Sequence, residues 1–254
     1  MNCSEQIKQR LKANAKEIVR ENPKLKNYEE YETAVIWDSL QMNFHEKSFE
    51  CIRKNEDWLK RTQKTHSKVK YASEMQSSNS SDALLMNIFC YPKIFDWKSV
   101  RDLLEITPPT DIVFGWNPDC FENEKGGKTE IDLKINNIIF EAKLTEDNFQ
   151  SKDKVTVSNY ADFVNVFHTD LLPQTNNEYT TYQLIRNILT AHHKKLDFVL
   201  LVDNSRVDLI RDFYDTVNAV KCPNLRKRMS FISWQELIDV CGKELKDYIS
   251  KKYL

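Results

Sequence analysis

The chain has 254 residues, 41% of them hydrophobic and 30% charged, with a formal net charge of −1. That length and apolar fraction suffice for one well-packed domain with a helical addition. The near-neutral balance excludes a globally basic nucleic-acid binder, so contact with nucleic acid must rest on a local patch.

No apolar run approaches the ~18 residues of a membrane span. The opening segment "MNCSEQIKQRLKANAKEIVRENP" has no apolar stretch and reads as a charged helix, not a secretion signal. Cys3, Cys51, Cys90, Cys120, Cys222 and Cys241 are scattered without a C-x-x-C pair. Neither a zinc cluster nor a disulfide framework is expected, and reduced structural cysteines fit a cytoplasmic protein. His192 and His193 lie on a helical pattern without a metal-spaced partner and read as surface or half-buried.

Residues 1–75 carry apolar positions at helical spacing in "EQIKQRLKANAKEIV", "YEEYETAVIWDSLQMNF" and "FECIRKNEDWLKRTQ". They are expected to form an N-terminal helical extension packed on a core over 76–254. Pro23 separates the first helix from the second. "QSSNSSDALLMNIF" opens another helix, with Ser80 or Ser81 as N-cap. From residue 111 the pattern changes: "DIVFGW", "EIDLKI" and "IIFEAKL" are short strands, with Gly126-Gly127 in the turn between the first two. Residues 146–178 form a long polar stretch with a helix around "YADFVNVFH". "TTYQLIRNILTAHHKK" follows as a helix with a capping box from Thr180 to Gln183. "DFVLLVD" reads as a strand covered on both faces. A helix over "RVDLIRDFYDTVNAV", a strand at "MSFIS" and one final helix over "WQELIDVCGKELKDYISKKY" complete the chain. The class is α/β: an antiparallel meander, then helical crossovers to further strands.

The stretch "TEIDLKINNIIFEAKLTE" carries the chemistry. A two-residue turn at Asn136-Asn137 sets Ile135 against Ile138, Leu133 against Phe140 and Ile131 against Ala142. On the other face Asp132 stands opposite Glu141, and Glu130 opposite Lys143, with cross-strand Cβ atoms about 5 Å apart. Opposed carboxylates repel unless something cationic lies between them. Lys143 supplies one charge; a divalent ion would supply more, since two carboxylates and waters suit Mg²⁺. The competing reading is an amphipathic hairpin with a solvated ladder of charges, Glu130 pairing Lys143.

Asp132, followed by Glu141-Ala142-Lys143 on the next strand, resembles the PD-(D/E)xK superfamily of restriction-endonuclease-like nucleases, and so does the order helix, meander, helix, strand. "SSDALLMNIF", "YQLIRNIL" and "FISWQELI" resemble a little-characterised bacterial branch of that superfamily. The resemblance implies a restriction-endonuclease-like core and hydrolysis of phosphodiester bonds, with DNA as the substrate. It implies Mg²⁺, with Mn²⁺ as a substitute, held by Asp132, Glu141 and the Ala142 carbonyl, and Lys143 as the catalytic lysine. A further glutamate from the preceding helices would be Glu74 or Glu50, with Glu130 as another accessory acid. Gln183 matches a glutamine on the helix after the motif, with Arg186 on the same polar face. The motif departs from the pattern at Ile131, where many members carry proline. A homodimer on double-stranded DNA is the expected assembly.

Residues 44–71 hold eight Lys or Arg against four acids, with interleaved aromatics. Lys60, Arg61, Lys64, Lys68 and Lys70 are the candidate phosphate contacts; a solvated helix face with internal ion pairs is the plainer reading. "NLRKRM" is a second, shorter basic cluster. The alternative to a nuclease is a catalytically silent module of the same fold that binds nucleic acid or protein. No P-loop, G-x-G-x-x-G, G-x-S-x-G or H-E-x-x-H points to another enzyme class.

Overall fold

The computed structural model describes residues 2–22, 28–31, 33–66, 69–118 and 130–254. Pro23, Lys68, Cys120 and the Gly126-Gly127 turn lie outside the described residues. Contacts gather the chain into two units. The first is Met1–Thr110 with Trp234–Leu254, and the second is Asp111–Ser233.

The first unit begins with α1 (Cys3–Glu21), opened by a capping box between Asn2 and Glu5. The next segment is not the helix its apolar spacing predicts. It is a hairpin of β1 (Tyr28–Tyr31) and β2 (Ala34–Trp37). Ala34, Val35, Ile36 and Trp37 are all buried, and a short continuous apolar run fits a doubly covered strand as well as a helical turn. Val35 and Trp37 pack with Ala15 of α1, so packing decides the conformation. The next predicted helix is split into α2 (Glu46–Lys54) and α3 (Glu56–Arg61). Asn55 breaks it, accepting the Trp58 N–H at 3.1 Å as N-cap. Then come α4 (Ser81–Phe89), capped by Ser80 as expected, and α5 (Lys98–Leu104).

The second unit holds β3 (Ile112–Trp116), β4 (Ile131–Ile135) and β5 (Ile138–Ala142) as an antiparallel meander. The polar stretch that follows contains β6 (Lys152–Asp153), α6 (Lys154–Ser158), α7 (Phe163–Val166) and β7 (Glu178–Tyr179). α8 (Tyr182–Lys194) crosses to β8 (Asp197–Val202), and α9 (Val207–Asn218) with the short α10 (Pro223–Arg226) crosses to β9 (Met229–Ser233). The sheet order is β3-β4-β5-β8-β9, and β8 runs parallel to both β5 and β9. This is the mixed α/β sheet that the alternation predicts. Its core includes Ile131, Ile139, Phe149, Leu184, Ile188, Phe198 and Phe213.

The chain returns to the first unit with α11 (Trp234–Asp239) and α12 (Lys243–Tyr253). The single final helix of the sequence reading is thus two helices, with Gly242 as N-cap of the second. A Cβ at Gly242 would lie 2.4 Å from Trp97 Cζ2, so only glycine fits beside that ring. On α12, Lys252 is 4% exposed and its Nζ donates to the Met42 carbonyl and the Tyr248 hydroxyl, each at 3.1 Å. Burial pushes this ammonium well below the ordinary lysine range.

Candidate active site

The β4–β5 hairpin turns as predicted at Asn136-Asn137. Asn136 sits at φ 51°, a left-handed conformation that asparagine tolerates better than most residues. Its side chain accepts the Asp111 N–H at 2.9 Å, tying the turn to the start of β3. The register is the expected one, with Ile135 on Ile138 and Leu133 on Phe140. Ile131, Leu133, Ile135, Ile138, Phe140 and Ala142 are all buried.

The opposite face is not a solvated charge ladder. Glu141 is 2% exposed and Lys143 4%, while Glu130 is exposed and Asp132 half-buried. Lys143 Nζ lies 2.7 Å from Glu141 Oε1 and donates to Gln183 Oε1 at 3.0 Å. Glu141 Oε1 is thus a buried oxygen ion-paired with the ammonium. Burial opposes the Lys143 charge, but Glu141, Glu146 and Asp132 together overcome it and hold the ammonium above the ordinary lysine value. Three carboxylates therefore act on one cation.

Asp132 meets the motif in a way the register alone does not reveal. Its Oδ2 accepts the Ala142 N–H at 2.8 Å. The side chain takes a backbone donor at the end of the β4–β5 ladder, which draws the first acid against the strand that bears the second.

Helix α8 supplies the rest. Thr181, not Thr180, is its N-cap and makes no side-chain capping bond. The predicted capping box is absent because the Gln183 amide is committed to Lys143. Four residues on, Asn187 Nδ2 donates to Glu141 Oε2 at 2.7 Å in a buried contact. Sequence reasoning missed Asn187. The signal was its spacing from Gln183, since residues four apart share a helix face. Glu146 was missed as well; its Oε2 accepts the Leu144 N–H at 2.7 Å, closing the segment after the motif. Arg186 stacks at 4.7 Å over the Tyr182 ring, whose hydroxyl lies 2.6 Å from that of Tyr160.

The remaining candidates belong to the first unit. Glu50 is exposed on α2, and Glu74 pairs with Lys64 at 3.0 Å. Arg61 Nη2 donates to both carboxylate oxygens of Asp82, at 3.1 and 3.0 Å. Lys60 and Lys70 are exposed.

The donor set at the hairpin suits a hard divalent ion. Among the described residues no cluster of three His, Cys, Asp or Glu side chains forms a complete protein cage. Mg²⁺ commonly binds one or two carboxylates and completes its shell with waters and phosphate oxygens. Asp132 and Glu141 offer two carboxylates and Asn187 Oδ1 is a buried acceptor without a hydrogen-bond donor, so the donors are hard oxygens throughout.

A family model described as "Restriction Endonuclease associating with ARP" matches residues 8–254. The chain belongs to this family. A search of curated proteins and one of solved structures returned no match. The five-stranded mixed sheet flanked by helices is thus the restriction-endonuclease-like fold. The match stands at the level of that family and not of the bacterial branch. No helix among the described residues is long and apolar enough to cross a membrane.

Proposed function

We propose that this member of the restriction-endonuclease family is a Mg²⁺-dependent nuclease of the PD-(D/E)xK type that hydrolyses phosphodiester bonds in DNA. The observation that carries the reading is the buried Glu141–Lys143 pair, held by α8 and set beside Asp132 at the end of the β4–β5 ladder. A buried ion pair contributes little net stability, so its place in a sheet core calls for another reason.

In this reading Asp132, Glu141 and the Ala142 carbonyl hold the ion. When bound, Mg²⁺ polarises the phosphate and lowers the pKa of an attacking water. Lys143 brings a fixed positive charge to the oxygens that gain negative charge in the transition state. Gln183 accepts from its ammonium at 3.0 Å, so the charge is oriented before substrate arrives. The α/β elements within 76–254 carry the chemistry, and double-stranded DNA and a homodimer are the proposed substrate and assembly. The family description names association with ARP, so a companion of that kind belongs to the proposed setting.

The test is cleavage of plasmid and linear DNA with Mg²⁺ or Mn²⁺, comparing wild type with Lys143→Ala. Metal-dependent cleavage that vanishes in the variant is the expected result. Cleavage that persists in Lys143→Ala would assign the activity to another site.

A further inference from the structure

We propose that Asn187 is a positioning residue for Glu141, fixing the orientation in which this carboxylate meets the divalent cation; this rests on the metal-dependent reading above. Glu141 sits two residues before Lys143 and is surrounded by polar groups that differ in chemistry. Its Oε2 receives the Asn187 Nδ2 hydrogen bond at 2.7 Å. Its Oε1 is ion-paired with the Lys143 ammonium at 2.7 Å. The amide and the ammonium each take one oxygen, and a carboxylate keeps further lone pairs for a divalent cation. A carboxylate held by one oxygen cannot swing freely, and partners that orient a metal ligand tune its affinity.

Another buried amide shows what a purely structural role looks like. In the first unit, Asn87 donates to the Asn43 and Ala83 carbonyls at 3.0 and 2.8 Å and accepts the His45 N–H at 2.6 Å. Both ends of that amide are satisfied by backbone. Asn187 is equally buried, but its bond goes to a carboxylate and not to backbone.

α8 also places a carboxamide on each member of the ion pair. Gln183 takes the Lys143 ammonium and Asn187 takes the Glu141 carboxylate, one helical turn apart. The helix therefore sets the two charged groups independently, and removing Asn187 leaves the Lys143 anchor in place.

The experiment measures Mn²⁺ binding to the full chain by titration calorimetry, without substrate, for wild type, Asn187→Leu, Asn187→Ser and Asp132→Ala. Leucine keeps the volume and removes the donor. Serine keeps a small polar group too short to reach Oε2, and serves if the leucine variant does not fold. We expect Mn²⁺ affinity to fall about 10- to 100-fold in a folded Asn187 variant and to be lost in Asp132→Ala. Cleavage by the Asn187 variant should recover at saturating Mn²⁺, which a general folding defect would not allow. Unchanged Mn²⁺ affinity in a folded Asn187 variant overturns the positioning role and leaves the nuclease reading intact. Failure of wild type itself to bind Mn²⁺ overturns that reading and this proposal with it.

Discussion

Glu141 and Lys143 stand two residues apart and close on each other at 2.7 Å, with side chains only 3% and 5% exposed. The pair is buried charge on charge, so neither member is dispensable alone. We expect Glu141→Met to cost about 3–5 kcal/mol, because it strands an ammonium in the sheet core. The double variant Glu141→Met/Lys143→Met should be more stable than either single one. Urea denaturation of the four proteins closes this cycle.

Lys252 gives the opposite pH signature to a paired lysine. Its folded value lies well below the ordinary one because of burial. Between that lowered value and the ordinary lysine value near ~10.4, the unfolded chain holds a proton that the folded chain lacks. Stability from this group therefore rises with pH through that window. Lys252→Met removes the cost of burying this amine, so it should melt above wild type at pH 7. The gap should narrow as pH approaches ~10, and thermal melts across pH measure it.

The basic residues of the first unit divide into two kinds. Arg61 is committed to Asp82, with side chains 11% and 14% exposed. Arg61→Ala should therefore lower stability, by about 3–5 kcal/mol if the stranded carboxylate stays buried, without changing the salt dependence of DNA binding. Lys60 and Lys70 are exposed. If they contact phosphate, each alanine variant should flatten the slope of log affinity against log salt by about one unit. Fluorescence anisotropy at several salt concentrations separates the two effects.

Gly242 is fixed by its neighbour. An added Cβ would fall 2.4 Å from Trp97 Cζ2, well inside contact distance. Gly242→Ala should destabilise by about 1–3 kcal/mol, as overpacking does, and Trp97→Phe in the same chain should recover part of that loss. Thermal denaturation of both variants checks this.

The hairpin was legible because its turn chemistry and period-2 pattern point to one register. Asn136 accepts positive φ, and shifting Leu133 off Phe140 by one residue would turn the apolar face outward. The β1–β2 hairpin was not legible. "AVIW" is apolar throughout, and such a run carries no period to separate strand from helix. Within the candidate site, Asp132, Glu141, Lys143 and Gln183 follow from motif and helix order. The grip of Asn187 on Glu141 does not, because its spacing four residues after Gln183 marks a shared helix face but not the carboxylate that face would meet. The Asp132–Ala142 bond was also invisible, since it replaces a ladder contact that the alternating pattern takes for granted.

The first unit is made from two pieces of chain, Met1–Thr110 and Trp234–Leu254, while the second is one uninterrupted segment. On the ribosome this sets an order. The sheet unit is complete in sequence once residue 233 has left the tunnel, whereas the first unit must wait for α11 and α12. α1 packs on α12, so α1 waits for a neighbour that follows the whole sheet unit along the chain. A nascent chain arrested shortly after Ser233 would already hold every residue of the hairpin and of α8, with the other unit still unfinished.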